Sequence, residues 1–190
     1  MSTKLYICYE KILILSALFV IVFSCAQQNN KSLQEEAFRQ QADSLSNLTQ
    51  NELLKQLSGQ IEKNGIPQAI EYCNLNALSI LDSTGKAGNM VVSRISDKYR
   101  NKKDKPTTDE ENIIKAFAPS NIKDTVLANN DKAVYYKRIS IGMTTCLNCH
   151  GSTEDIAANV QQKIQKLYPE DKATGYQMGD FRGLWKIEKL

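Results

Sequence analysis

Residues 133–152 read AVYYKRISIGMTTCLNCHGS: a strand-like run to Ile141, a glycine, then two cysteines three apart with a histidine directly after the second. A second strand-like run, Thr125–Ala128, precedes it, and NNDK between the two suits a hairpin turn. Further upstream the pattern changes period. Leu33, Ala37, Phe38, Ala42, Leu45, Leu48, Leu53, Leu54, Leu57 and Ile61 recur at steps of three and four, which predicts one long amphipathic helix or two collinear ones. Asn64-Gly65 ends it, and Pro67 suits the first turn of a second helix reaching to about Leu81. STGKAG then breaks the pattern, and NMVVSRISDKYRNKKDKPTTDEE reads as a basic loop running to a cap at Thr107 or Thr108, followed by a short helix, EENIIKAF. Downstream, residues 154–167 read as a helix stopped by Pro169, and LWKIEKL closes the chain as a strand. Helices first and strands later predict an α+β domain.

The triad Cys146, Cys149 and His150 has four readings. C-x-x-C-H is the usual signature of covalent c-type haem attachment. Two thiols one short turn apart can add across the two vinyl groups of neighbouring pyrroles, and the next histidine is carried beneath the ring as proximal iron ligand. Zinc with Cys73 as a further ligand is disfavoured, since adjacent residues 149 and 150 hardly reach one tetrahedral ion together. A dithiol redox pair wants a strand-to-helix setting that the upstream hairpin does not supply. A structural disulfide beside an incidental histidine is the bland alternative.

His150 is the sole histidine of 190 residues. A bis-histidine cytochrome is thereby excluded, as is a peroxidase with a distal histidine. The iron's other face is open or held by another residue type. Five cysteines are present: Cys8, Cys25, Cys73, Cys146 and Cys149. Cys73 is the one left over, on the apolar face of the second helix with Ile66, Ala69, Ile70, Ala77 and Ile80. It reads equally as a small buried hydrophobe or as an iron ligand. Met178 and Met90 compete as axial thioethers, while Met143 lies too near the attachment point to reach the opposite face easily.

The N-terminus addresses the chain. Lys4 and Lys11 precede an apolar run from Ile12 to Phe23, short of the roughly twenty residues that span a membrane and matching the core of a secretory signal peptide. Val22-Phe23-Ser24-Cys25 resembles a lipobox, so the expected organisation is a lipoprotein signal peptide (1–24), a lipidated tether from Cys25 (25–32) and a c-type haem domain (33–190). An uncleaved anchor helix would export the chain equally. The expected location is therefore the periplasmic face of a bacterial membrane, held by the lipid anchor. The net charge of +3 is too weak a bias to suggest nucleic acid.

Four segments now fit one pattern: GIPQAIEYCNLNA, VVSRISDKYRN, CLNCHG and YPEDKATGYQMGDFRG. Together they resemble a family of exported c-type haem domains with a PAS-like fold, which occur as standalone periplasmic or lipid-anchored proteins and as the sensory part of histidine kinases. The likeness covers roughly residues 50–190. It departs from the family at Lys102, where a proline is usual after RN, and at YYKRISI, where a proline is frequent. The resemblance implies a PAS-like antiparallel sheet packed with the N-terminal helices, one covalently held haem c, and Cys73 as distal ligand opposite His150. Arg94 and Arg100, in the basic loop, are candidates for the two haem propionates, since planar guanidinium groups suit carboxylates; the alternative is that both are solvated. Gly175, Gly179 and Gly183 read as turn or close-packing positions, and Tyr176 as core packing or a haem contact.

Two functions follow as expectations. A thiolate opposite histidine favours ferric iron, lowers the potential and can leave on reduction, which suits a redox or ligand sensor that signals to a separate partner. The alternative is a membrane-tethered electron carrier with an unidentified redox partner. No second histidine and no recognisable acid–base pair are present, so an enzyme ranks last.

Overall fold

The computed structural model describes the backbone of residues 3–129 and 132–190 and the side chains of residues 32–127 and 132–190. The expected signal peptide (1–24), the lipid site Cys25 and the tether as far as Lys31 fall outside the described side chains, and Asn130 and Asp131 of the expected hairpin turn fall outside the described residues. In chain order come helices α1 (Thr3–Asn64) and α2 (Ile66–Ala87), strand β1 (Met90–Ile95), a short 3-10 turn (Lys102–Asp104), α3 (Thr108–Phe117), β2 (Asp124–Asn129), β3 (Lys132–Ser140), α4 (Thr144–His150), α5 (Ala158–Leu167) and β4 (Phe181–Lys189). The fold is α+β, as expected. Contacts divide the chain into two units, Met1–Gln40 and Gln41–Leu190; the described part of the first, residues 3–40, belongs to α1, and the second holds the rest of α1, the sheet and the other helices. Among the described residues no helix is long and apolar enough to cross a membrane.

The sheet has the order β1-β4-β3-β2, antiparallel throughout. The last strand thus lies between the first and third, which buries Leu184, Trp185 and Ile187. Side chains alternate between the two faces. Val134, Tyr136 and Leu184 meet Ile114 and Phe117 of α3, with Ile95 closing the cluster. On the other face, the Tyr135 hydroxyl donates to Asp43 Oδ1 (2.8 Å), Lys137 Nζ reaches the same oxygen (2.7 Å), and Trp185 Nε1 donates to Gln50 Oε1 (3.2 Å). That face is covered by the C-terminal part of α1.

Three elements differ from the expectation. Helix α2 does not stop near Leu81 but runs through STGKA to Ala87. Thr84 returns its hydroxyl to Ile80 O and accepts from Thr49 of α1. Gly85 is there because the helix lies on β1: a Cβ at that position would stand 2.6 Å from Met90 O. The start of the basic loop is strand β1, paired to β4 from Met90↔Lys189 to Ile95↔Leu184. Its partner is almost a hundred residues away, so local pattern reading takes it for loop. Helix α5 is also shorter than expected, beginning at Ala158, because Ser152 and Asp155 close their own turn through Ser152 N and Oγ to Asp155 Oδ2.

Candidate cofactor site

Helix α4 holds the two cysteines and the histidine on one and a half turns. Met143 precedes it in extended conformation, and Gly151 ends it with its N–H on Leu147 O (2.8 Å). A side chain at 151 would put Cβ 2.7 Å from that same carbonyl and from Asp155, so glycine is required there. The i, i+3 spacing sends both thiols inward. Cys146, with Leu147, packs against Ile141, Ala173 and Tyr176, while Cys149 packs against Ile70 of α2 and Ile156, Val160 and Ile164. Cys73, Cys146 and Cys149 are all free thiols.

His150 Nδ1 lies 2.7 Å from the carbonyl oxygen of Ala173. A carbonyl can only accept, so Nδ1 carries the hydrogen and Nε2 keeps its lone pair, which is the tautomer a metal ligand needs. Burial, and then the positive charges of Arg100 and Arg182, hold the imidazole well below its ordinary value and therefore neutral. Two backbone bonds fix the loop that supplies the carbonyl: Tyr176 N to His150 O (2.9 Å) and Gly175 N to Gly151 O (2.7 Å). The Tyr176 ring meets the imidazole edge-on, with centroids 6.2 Å apart at 84°.

Arg100 ties three segments together. Its Nε and Nη2 reach Asp171 Oδ1 and Oδ2 (3.0 and 3.2 Å), and Nη2 also donates to the carbonyls of Cys149 (2.6 Å) and Ala173 (3.2 Å). The pair is nearly enclosed, with side chains 12% and 9% exposed. Around it the basic loop and the segment 168–176 are joined by Lys172 N to Tyr99 O (2.9 Å), Lys98 Nζ to Thr174 O (2.6 Å) and Lys102 Nζ to Glu170 Oε1 (2.7 Å). Arg100 is thus not a solvated loop residue; its fork is spent on Asp171 and the two carbonyls.

Arg94 projects from β1 on the face that carries Trp185, its guanidinium carbon 5.9 Å from that ring's centroid. Its Nη2 stands 3.4 Å from Asp104 Oδ2. Its Nε is buried without a hydrogen-bond partner, a deficit that native structures seldom tolerate without a ligand or water to fill it. Arg182, at the start of β4, is the third cation. It donates to Ser96 Oγ (3.0 Å) and Lys98 O (3.1 Å) and lies over Tyr176 at 5.5 Å. Burial lowers its pKa from the ordinary value. Three guanidinium groups therefore face two carboxylates, Asp104 and Asp171, across one largely enclosed region.

Cys73 approaches from α2. It is close enough to Arg94, Arg100 and Cys149 for their charges to be felt, and burial raises its thiol above the ordinary value against the pull of the two arginines. Tyr168, at the end of α5, senses the same cysteine and arginines. The fold thus gathers Cys73, Cys149, His150, Arg94 and Arg100 into one neighbourhood. Met178 and Met143 stand on exposed positions (46% and 45%), and Met90 is buried within β1 against α2. Among the described residues no three His, Cys, Asp or Glu side chains are grouped to hold a bare metal ion, so the zinc arrangement has no geometric support. Sequence reasoning did not single out Arg182, Asp171 or Ala173. Their signal is weak, since Ala173 acts through its backbone carbonyl, Asp171 and Arg182 act through partners distant in the sequence, and all three lie in a segment whose glycines draw the eye first.

Comparison with known proteins agrees with this geometry. No curated protein matches the chain. Among solved structures it is similar to the one titled as the crystal structure of the cyanobacterial heme-protein Tll0287, at 25% identity and a TM-score of 0.52, over 59% of this chain and 68% of that one. The profile of the Tll0287-like family matches residues 26–189, and on that match the chain belongs to the Tll0287-like family.

Proposed function

We propose that this protein is an exported, lipid-anchored monohaem c-type cytochrome domain that acts in redox or ligand sensing. The observation that carries the haem is His150: it follows C-x-x-C on one short helix and gives Nδ1–H to Ala173 O, leaving Nε2 to face iron. The relative whose fold it shares is titled a heme-protein. The surroundings fit an anionic cofactor. Two free thiols stand beside the imidazole, the buried cations outnumber the carboxylates, and Arg94 Nε lacks an acceptor. Cys146 and Cys149 would hold the group as thioethers, His150 as proximal ligand and Cys73 as distal ligand. Arg94 and Arg182 would balance the propionates, with Arg100 contributing charge while it holds the loop. Bound there, haem supplies one-electron chemistry and a coordination position open to exchange. The chain's residues do the rest: the Arg100 clamp fixes the carbonyl that orients His150, and the apolar walls from α2 and α5 exclude water.

The test is attachment. Protein made with a haem-maturation system should keep its haem through denaturing electrophoresis and give a c-type pyridine haemochrome near one haem per chain. Cys146→Ala with Cys149→Ala should abolish the stain; metal analysis finding zinc and no iron would overturn the reading. Carbon monoxide binding to the ferrous protein at full occupancy supports sensing, and its absence points to plain electron transfer. Partition of the mature protein into detergent, lost in Cys25→Ala, tests the anchor.

A further inference from the structure

Met143 and Met178 have no part in the site as described, and both are exposed large apolar residues. Two backbone bonds bring their segments together: Ile141 N to Asp180 O (3.0 Å) and Gly179 N to Ile141 O (2.9 Å). Met143 O in turn accepts from Cys146 N (3.0 Å), and Cys146 packs on Ile141, Ala173 and Tyr176 of the same segments. Two long apolar side chains thus lie on the surface just outside an attachment thiol. Thr144, Thr145, Gly175 and Gly179 near them are exposed and uncharged. A Cβ at Gly179 would meet nothing within 4 Å, so the backbone there lies open to another surface. Beside this patch the charge is positive. Lys98 Nζ donates to Thr174 O (2.6 Å) and stands 4.1 Å from the centroid of the Tyr176 ring. Lys102, Lys105 and Lys172 gather about one carboxylate, Glu170, and among the described residues only Lys102 is paired with it. The acids of these loops nearest the patch, Asp97 and Asp180, each spend an oxygen on a backbone N–H, that of Lys98 (2.9 Å) and of Gln177 (2.7 Å).

We infer that Met143 and Met178 are the centre of a docking face for an acidic one-electron redox protein, with Lys98, Lys105 and Lys172 on its rim. This rests on the haem reading above, in which the Cys146 thioether edge lies directly behind the two methionines. Methionine is flexible and polarisable, so an exposed pair can shape itself to a partner. Its apolar surface also excludes water at the point of closest approach. The ammonium groups around it attract a negatively charged protein from a distance and turn a basic one away. A reduced partner seated there gives up one electron, which enters the site at the Cys146 edge. The partner is oxidised by one electron, the ferric iron becomes ferrous, and no covalent bond forms between the proteins.

The experiment is stopped-flow reduction of the haem-loaded full chain in detergent. The donor is an acidic plant-type [2Fe–2S] ferredoxin, whose low potential suits it, in salt from about 20 to 500 mM. Photoreduced 5-deazariboflavin, small and uncharged, is the reference reductant. The wild-type rate constant with ferredoxin should fall about tenfold or more across that span. Lys105→Glu with Lys172→Glu should be about tenfold slower at low salt and nearly insensitive to salt. Met143→Ser with Met178→Ser should be several-fold slower at every salt and keep the wild-type slope; serine is a favoured N-cap, so α4 keeps its start. Lys132→Glu makes the same charge change at the far end of β3, about 30 Å from Ile141, and should stay within about twofold of wild type. All these variants should match wild type with the deazaflavin. A wild-type rate without salt dependence, lysine or methionine variants no slower than Lys132→Glu, or a loss that the deazaflavin shows equally overturns this inference alone. So does a wild-type deazaflavin rate that drops on phosphatidylglycerol vesicles but not on phosphatidylcholine, which gives the face to lipid. A dimer that the methionine variant dissociates gives it to a second copy and overturns it as well. Failure to attach haem overturns it together with the reading on which it rests.

Discussion

The orientation of His150 depends on a carbonyl 23 positions away, and that carbonyl is held by Arg100. Losing one partner of a buried pair costs about 3 kcal/mol or more, because the other charge stays enclosed and unpaired. Arg100→Gln should therefore lower stability by roughly 3 kcal/mol in denaturant titration and disturb the iron spectrum through His150. Arg100→Lys keeps the charge but loses the fork and should fall between. Cys73 gives the sharper spectroscopic test. Cys73→Ser should convert a low-spin ferric iron with a sulfur charge-transfer band to a high-spin or water-ligated one. In a purely structural role, Cys73→Ala would cost about 1–2 kcal/mol from the small cavity and leave the spectrum unchanged, and that outcome would remove Cys73 from the site. At this scale the sequence was informative wherever chemistry resides in a residue type. Cys146, Cys149, His150 and Cys73 could be picked out because thiols and a lone imidazole are rare. Ala173 and Asp171 could not, because what they contribute is a carbonyl and a partner for a distant arginine.

Helix α3 shows how much of an element is legible locally. Thr107 and Glu110 form a complete capping box: Thr107 accepts from Glu110 N, and Glu110 accepts from Thr107 N (2.9 Å). Both partners are four residues apart or less, so the start was readable from the sequence. Thr107→Ala should cost about 1 kcal/mol, a fall of roughly 2–4 °C in Tm for a domain of this size. Burial would raise the Glu110 carboxyl, but the Thr107 N–H and Lys186 (3.0 Å) outweigh it and hold it below the ordinary value. A depressed carboxylate stabilises the fold above its unfolded pKa, and this contribution is lost as pH falls through the folded one. Glu110→Gln should consequently be less stable than wild type at neutral pH and converge with it in acid, as measured by thermal melts across that range. Strand β1 and the last turn and a half of α2 were misread for the opposite reason. What makes them regular is each other and β4, with Gly85 against Met90 O and Ile95 against Leu184. Gly183 belongs to the same contact: φ is +151° and an added Cβ would meet Ile95 O at 2.5 Å, so Gly183→Ala should unpair the end of β1 that carries Arg94.

At the scale of the whole molecule, several groups of buried apolar side chains can be told apart among the described residues. One buried cluster joins the sheet to α3 through Ile95, Ile114, Phe117, Val134, Tyr136 and Leu184. The clusters around the candidate site are separate: Ile70 with Ile156, Val160 and Ile164 between α2 and α5, and Ile141 with Ala173 and Tyr176 behind Cys146. The sheet cluster is complete without a cofactor. The other two are small, and what joins them is α4, the Arg100 clamp and, in the proposed holoprotein, a haem bonded to Cys146 and Cys149. A group that binds only the folded form stabilises what it touches, and regions with few buried contacts open locally before the rest. Hydrogen exchange on the Cys146→Ala/Cys149→Ala protein should therefore show faster exchange in residues 144–176 and the first turns of α2. The amides of β3 and β4 should keep the protection they have in the haem-loaded wild type. Uniform loss of protection across the sheet would mean that the cofactor organises the whole domain. Unchanged exchange in 144–176 would mean that the Arg100 clamp and the backbone bonds at Gly151 and His150 hold the site without it.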